Sequence, residues 1–178
     1  MDIVLCEKKD SFEKIAKRLD LDLIYVDVKE NSFDNCVIKK MSDENLDMDF
    51  VYGLELSSRQ DYIHQRNSGL NHILAKQLKE KDIVVCFGLS YALEENVLGR
   101  MRQNVKLCRK YKVKMIYVSL ACDEFGLRSE HDLQYFAKSI GFNSFEIKNK
   151  NKIIEDKILF CNKRKQGKII GKGIEVVD

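Results

Sequence analysis

The chain has 178 residues, of which 44% are hydrophobic and 33% are charged, and it contains no proline. No apolar run approaches the ~18 residues that span a bilayer, and the N-terminal sequence MDIVLCEKKD does not have the pattern of a signal peptide. The composition argues against a secreted, membrane-spanning or wholly disordered protein. We expect a single domain over residues 1–178 with one sizeable core and no contact with a membrane.

Charge is distributed unevenly, although the formal net charge is only +3. Residues 1–55 hold 8 basic and 14 acidic residues, a net charge of −6, whereas residues 56–178 hold 23 basic and 14 acidic residues, a net charge of +9. Such asymmetry indicates either a basic face that meets a polyanion or ordinary solvated helices. We also expect a basic C-terminal tail from about residue 163.

The six cysteines and three histidines show none of the short spacings that are typical of zinc sites. Most of the cysteines lie among apolar residues, which indicates reduced, buried thiols in a cytoplasmic protein. We therefore expect no metal and no cofactor bound by the chain itself.

Short apolar runs alternate with helical patterns along the chain. The runs that predict strands are Ile3–Leu5, Leu21–Val28, Cys36–Ile38, Phe50–Leu56, Ile83–Phe87, Val113–Leu120, Phe142–Ile147 and Lys168–Val177. The patterns that predict helices lie at 10–19, 71–81, 97–112, 129–140 and 152–161.

This alternation predicts βα units around a mainly parallel sheet. About eight strand candidates suggest a barrel of the (β/α)8 type, but the chain is shorter than the ~200–250 residues of that fold. The connections around 28–36 and 40–50 are too short for a full helix. From the residues alone, a reduced barrel and an open doubly wound sheet both remain possible.

The first segment that could carry chemistry is RNSGLNH, residues 66–72. Asn67, Ser68 and Gly69 suit a tight turn or an N-cap, whose backbone N–H groups can meet a phosphate. Arg66 adds a planar cationic fork. Because the segment has one glycine, it is neither a Walker loop nor a dinucleotide fingerprint. A plain helix cap and an anion-binding turn both fit these residues.

The second segment is the predicted helix 97–112, whose polar face is basic. No acidic residue lies between Glu95 and Asp123, and this interval holds seven basic residues. Like charges at helical spacing repel each other, and phosphates would neutralise them. The pattern favours a nucleic acid or an acidic partner over a solvated face. The residues at i, i+4, i+7 and i+8 are Arg102, Lys106, Arg109 and Lys110.

The third segment, residues 119–129, follows an apolar strand at the edge where the sites of barrel enzymes collect. It contains Asp123, Glu124 and Arg128. These groups indicate either a site or an Asp–Arg pair that shapes the loop. Ser129 begins a capping-box pattern for the helix that follows.

Together these segments resemble a known family, the TIM-barrel protein subunit of ribonuclease P. The motifs that carry the resemblance are RNSGLNH at 66–72, GRMRQNVKLCRKYKV at 99–113 and the spaced polar residues of 119–133. The subunit is protein component 3 in archaea and the counterpart of the thirty-kilodalton subunit in eukaryotes. The resemblance is strongest over about residues 51–141.

The resemblance implies an α/β, TIM-barrel-like fold, shortened, with some helices reduced or missing. It implies a subunit of the ribonuclease P holoenzyme, which assists the catalytic RNA in removing the 5′ leader from precursor tRNA by endonucleolytic cleavage. The isolated chain would then have no catalytic residue, and the holoenzyme RNA would need Mg²⁺. The implied partners are the ribonuclease P RNA, the small RNA-binding-like subunit called protein component 2 and other ribonuclease P proteins, with precursor tRNA as the substrate.

The residues that we expect to bind RNA or a partner are Arg66, Asn67, Ser68, Asn71, His72, Arg100, Arg102, Asn104, Lys106, Arg109, Lys110 and Arg128. The motif match does not divide them between RNA and protein. The alternative is a stand-alone metal-dependent phosphoesterase on the related barrel, although the His/Asp cluster expected near its N-terminus is missing. A nonspecific basic RNA-binding domain is a third possibility.

Overall fold

A computed structural model describes residues 1–41, 46–57, 60–62, 66–94, 96–171 and 174–175. These residues form parallel strands and helices that confirm the α/β class. The strands are β1 (Asp2–Val4), β2 (Leu23–Tyr25), β3 (Ser32–Phe33), β4 (Cys36–Lys40), β5 (Phe50–Tyr52), β6 (Val84–Gly88), β7 (Met115–Val118), β8 (Ile169–Gly171) and β9 (Ile174–Glu175). The helices are α1 (Asp10–Leu19), α2 (His72–Glu80), α3 (Val97–Tyr111), α4 (Glu130–Ile140), α5 (Ser144–Lys148) and α6 (Lys150–Lys165).

The central sheet has the strand order β3-β4-β5-β6-β7, in which β4 to β7 are parallel and β3 pairs antiparallel with β4. Strands β1 and β2 form a separate parallel pair, and β8 and β9 form an antiparallel hairpin. The ladders of the described residues thus form three sheets and no closed barrel. The shortened (β/α)8 barrel therefore stays a prediction.

Both faces of the central sheet are buried, which explains why its strands read as continuous apolar runs. Val85 and Phe87 of β6 point into a core that includes Met101 of α3. Val84, on the opposite face of β6, shares a second core with Ile154 of α6. The sheet is therefore covered by α3 on one face and by α6 on the other.

Helix α6 is fixed to the amino ends of β5 and β6 by ion pairs. Arg164 donates to both carboxylate oxygens of Asp49, at 3.0 and 2.7 Å. Lys157, 2% exposed, donates from Nζ to the carbonyl of Asp82 at 2.7 Å and lies 3.5 Å from Asp49 Oδ1. Burial alone would raise the pKa of Asp49, but the hydrogen bonds from Arg164 and Val37 lower it below its usual value.

The predicted strand Phe142–Ile147 is wrong, because the residues from Ser144 onward form helix α5. Asn143 caps this helix: its Oδ1 accepts from the Glu146 N–H at 2.8 Å, and its own N–H donates to Glu146 Oε2 at 2.8 Å. This reciprocal capping box outweighs the apolar pattern. The predicted strand Phe50–Leu56 likewise ends at Tyr52, and a short 3-10 helix covers Leu54–Leu56.

The described residues of the basic C-terminal segment include regular secondary structure. Lys163, Arg164 and Lys165 complete the last turn of α6, and the β8–β9 hairpin follows. The end of the predicted strand Lys168–Val177 lies outside the described residues. Within the part of the chain that the structure describes, no helix is both long and apolar enough to cross a membrane.

Candidate nucleic-acid interface

Arg100, in the first turn of α3, ties the loop after β5 to the helix. Its Nη1 donates to the carbonyls of Glu55 and Ser57, at 3.1 and 2.7 Å. Its Nε and Nη2 each lie 3.0 Å from Asp61 Oδ1. The hydrogen bond from Arg100 holds the pKa of Asp61 below its usual value. Because Arg100 is only 8% exposed, it positions this loop from inside the protein.

Asn104, one turn further along α3, fixes the second half of the same loop. Its Nδ2 donates to the carbonyl of Ser68 at 2.8 Å, and both residues are buried. The backbone N–H of Asn67 donates to Asp61 Oδ1 at 2.8 Å, and the side-chain amide of Asn67 donates to the carbonyl of Gln60. The sequence pattern had indicated that the Asn67 N–H could bind a phosphate. In the structure this N–H is already bonded inside the protein.

Two glycines allow the loop to lie close against the protein. A Cβ on Gly69, where φ is +74°, would lie 1.8 Å from the carbonyl oxygen of Leu54, a clash with fixed backbone. A Cβ on Gly99 would lie 2.9 Å from Arg66 Cζ. Arg66 Nη1 instead donates to the Gly99 carbonyl at 3.4 Å, and Gln103 Nε2 donates to the Arg66 carbonyl at 3.1 Å. Arg66 therefore lies exposed along the first turn of α3.

Asn71 and His72 mark the start of α2. The Leu74 N–H donates to Asn71 Oδ1 at 2.8 Å, so Asn71 is the N-cap. His72 is exposed beside it. The cap thus lies beyond the turn that Asn67 and Ser68 form.

The outward side of α3 carries four exposed cations, and we call it the α3 basic face: Arg102, Lys106, Arg109 and Lys110. The opposite side of the helix is buried, with Met101, Val105 and Cys108 in the core, as the spacing predicts.

The four cations are not equivalent. Arg109 donates from Nε and Nη2 to the two carboxylate oxygens of Glu146, each at 2.7 Å, and these hydrogen bonds raise the pKa of Arg109. Arg102 donates from Nε to the carbonyl of Ser139 at 2.9 Å, which fixes its guanidinium beside the end of α4. Among the described residues, Lys106 and Lys110 have no ion-pair partner. Arg102, Lys106 and Lys110 are therefore the cations of this face that carry no neutralising carboxylate.

Arg128 belongs to the loop between β7 and α4. Its Nη1 donates to the carbonyls of Phe125 and Leu127, at 2.6 and 2.8 Å. Asp123 Oδ1 accepts from the Gly126 N–H at 2.8 Å. Each of the two side chains thus shapes the loop through backbone groups.

Sequence reasoning missed Glu55, a buried acid at the carboxyl end of β5. It is 1% exposed, and neither of its carboxylate oxygens has a hydrogen-bond partner. Burial raises the pKa of Glu55 to about 7, and the nearby charge of Glu94 adds to this effect. The available signal was a single acid inside the apolar run Phe50–Leu56.

Cys36, Asp49 and Cys161 form the one group of metal-ligating atoms that comes together in the described residues, within 4.8 Å of one another. Asp49 already accepts from both nitrogens of the Arg164 fork, and Cys36 Sγ lies 3.8 Å from the carbonyl of Lys157 as a donor. The flanking cations oppose a bound cation here. We therefore assign the cluster to the contacts that hold α6 against the central sheet.

Comparison with known proteins supports one family. No family model matches the chain. Ribonuclease P protein component 3 of Methanosarcina acetivorans is 31% identical over 119 residues, which cover 64% of this chain and 49% of that protein. The protein of the same name from Methanococcus maripaludis is 24% identical over 125 residues, 65% of this chain and 52% of that one.

The resemblance to ribonuclease P protein component 3 is confirmed. The matched part of the chain spans about half the length of these curated relatives. This chain also superposes on a chain in the cryo-EM structure of archaeal ribonuclease P with mature tRNA, with a TM-score of 0.56 and 14% sequence identity. The superposition covers 99% of this chain and 87% of the cryo-EM chain. At that identity, this likeness to the cryo-EM chain shows the fold alone.

Proposed function

We propose that the chain is a protein subunit of ribonuclease P, which assists a catalytic RNA in removing the 5′ leader from precursor tRNA. The observation that carries the proposal is the similarity to curated proteins named ribonuclease P protein component 3. Its proposed partners are the ribonuclease P RNA, protein component 2 and other ribonuclease P proteins, in the cytoplasm. The RNA supplies the catalysis with its own Mg²⁺.

The α3 basic face supports a role in RNA binding. Lys106 and Lys110 can neutralise phosphates, since they have no carboxylate partner among the described residues. Arg102 keeps its Nη groups available while its Nε is held by Ser139, so its fork is oriented before RNA arrives. These three side chains are the strongest candidates for direct RNA contact.

The remaining predicted site residues divide by exposure. Arg66 and His72 are exposed at the two ends of the segment 66–72, where they can contact a ligand. Arg100 and Asn104 are buried, and they act by holding that loop in place. Binding through Arg66 would therefore depend on Arg100 without contact between Arg100 and the RNA.

The fold proposal follows the same resemblance. The shortened barrel is supported by two backbone hydrogen bonds that place β1 beside the end of β7: Leu120 N–H to the Ile3 carbonyl at 3.1 Å, and Leu5 N–H to the Ala121 carbonyl at 2.9 Å. An isolated bridge between Asp27 and Ser32 relates the end of β2 to β3. In this arrangement the strands would follow one another around a small, incomplete barrel.

The function is tested by the activity of the native assembly. We expect a tagged chain, purified from its own cells at moderate salt, to bring down an activity that removes the 5′ leader from precursor tRNA. Digestion of the assembly with micrococcal nuclease, followed by chelation of the Ca²⁺ that this nuclease needs and return of Mg²⁺, should abolish cleavage. Leader removal that survives this treatment, or phosphoesterase activity of the RNA-free chain with added metal, would contradict the proposal and favour the phosphoesterase alternative.

A further inference from the structure

Two of the most exposed apolar side chains of the described residues lie on neighbouring loops. Leu93 is 93% exposed and follows β6, and Phe125 is 79% exposed and follows β7. Because β6 and β7 are adjacent and parallel, both loops leave the same edge of the sheet. We call residues 89–94 and 122–128 the apolar loop pair.

Hydrogen bonds hold the apolar loop pair on the sheet. The N–H and the hydroxyl of Ser90 both donate to the carbonyl of Ser119, at 3.1 and 2.7 Å, which joins the first loop to the end of β7. In the second loop, Arg128 donates to the Phe125 carbonyl and Asp123 accepts from the Gly126 N–H, so the backbone at and just after Phe125 is held in place. An exposed aromatic on a fixed support loses little freedom when a partner covers it, which is typical of interface anchors.

The charges of the loop pair favour one class of partner over another. The pair contains Glu94, Asp123 and Glu124 against a single cation, Arg128, a net charge of −2. Nη1 of Arg128 is also bonded to two carbonyls. RNA phosphates would be repelled here, whereas a basic protein surface would be attracted.

We propose that the apolar loop pair docks a basic protein that inserts Leu93 and Phe125 into an apolar pocket. The inference rests on the proposed function, since an assembly built around RNA contains basic proteins. It deepens that function by separating the protein-binding surface from the α3 basic face. The acidic residues would then set the orientation of the partner, and the two apolar side chains would supply most of the affinity.

The direct test is site-specific photo-crosslinking in the intact assembly. A benzophenone amino acid replaces Phe125 in the tagged full chain, and the cross-linked product is identified after irradiation of the cells. The matched control carries the same amino acid at Phe145, which is 76% exposed on α5. We expect position 125 to capture a basic protein, and position 145 to capture it at least tenfold less.

A second measurement uses the loops without the photoreactive group. Leu93→Ser combined with Phe125→Ser should reduce recovery of the same basic protein at least tenfold, whereas Phe145→Ser should leave it unchanged. Circular dichroism of each variant establishes that the chain is folded.

The outcomes separate this inference from the proposed function. If the wild-type chain recovers RNA but position 125 captures RNA, an acidic protein or nothing, the inference is wrong and the proposed function stands. If the wild-type chain recovers no RNA and position 125 captures no basic protein, both are wrong.

Discussion

The α3 basic face and the apolar loop pair are two surfaces of the same α/β fold, and they carry charge of opposite sign. On α3, Lys106 and Lys110 keep their charge unopposed, whereas Arg109 is neutralised by Glu146. On the loop pair, the one cation, Arg128, is bonded to carbonyls, and Asp123 and Glu124 directly precede Phe125. Charge counted along the chain therefore does not predict a binding surface until the internal hydrogen bonds of each charged group have been assigned.

The largest effect should come from the residue that supports the loop beside the basic face. Arg100→Ala would leave Asp61 without its cation and two carbonyls without their donor, so we expect the free energy of unfolding to fall by about 3 kcal/mol. Chemical denaturation measures this loss. The matched variant Arg102→Ala, on the exposed side of α3, should change stability by less than about 0.5 kcal/mol. Equal losses of stability in the two variants would contradict the distinction between buried and exposed cations.

The next effect concerns Glu55, the buried acid in the short 3-10 helix after β5. Below its usual pKa the carboxyl is protonated in both the folded and the unfolded chain. As the pH rises from about 4.5 to about 7, the unfolded chain loses this proton first, so the Glu55 contribution to stability falls by up to about 3 kcal/mol and then stays constant. Unfolding measured across this range should show the fall in the wild type.

Two variants sharpen the Glu55 prediction. Glu55→Gln should remove this component of the pH dependence. Glu94→Gln should move the transition to lower pH, because the charge of Glu94 helps to raise the Glu55 pKa. If Glu94→Gln leaves the transition in place, the negative field that we assign to the loop pair does not reach Glu55.

A smaller effect is expected for RNA affinity on the α3 basic face. Arg102→Ala combined with Lys106→Ala should weaken RNA binding by about tenfold at moderate salt and lower the salt slope of log K by about 1 to 2. A filter-binding series over several salt concentrations measures both values. Lys14→Ala combined with Lys17→Ala, which removes two exposed charges from α1, is the charge-matched control. Equal changes in RNA affinity for the α3 and α1 double variants would show that α3 is not part of the RNA-binding surface.

The smallest effect concerns the neutralised cation of that face. Glu146→Gln should release the Arg109 fork while keeping a side chain that can accept from Asn143 N–H. We expect stability to fall by less than about 1 kcal/mol and RNA affinity to rise by about twofold or threefold, since one more cation becomes available. A decrease in RNA affinity would show that Arg109 already serves the site through its ion pair.

The sequence predicted the α/β class and several of its elements because its apolar periods are strong. The stripe of Met101, Val105 and Cys108 placed α3 correctly, and the buried runs marked β6 and β7. It failed at α5, where the capping box of Asn143 and Glu146 outweighs an apolar run that alone reads as a strand.

The candidate site was less predictable for a different reason. Helical spacing gave the outward cations of α3, but it could not show that Arg109 meets Glu146, 37 residues away, or that Asn104 binds Ser68, 36 residues away. Such long-range partners depend on the tertiary fold. Glu55 was missed for the same reason, because its burial without a partner is a property of the packed structure.

Sequencing of the RNA that purifies with the tagged wild-type chain is the decisive test of a role in ribonuclease P. We expect strong enrichment of one structured RNA, recovered with protein partners in an assembly that removes the 5′ leader from precursor tRNA. Recovery of the chain without RNA, or with many unrelated RNAs in similar amounts, would contradict that role.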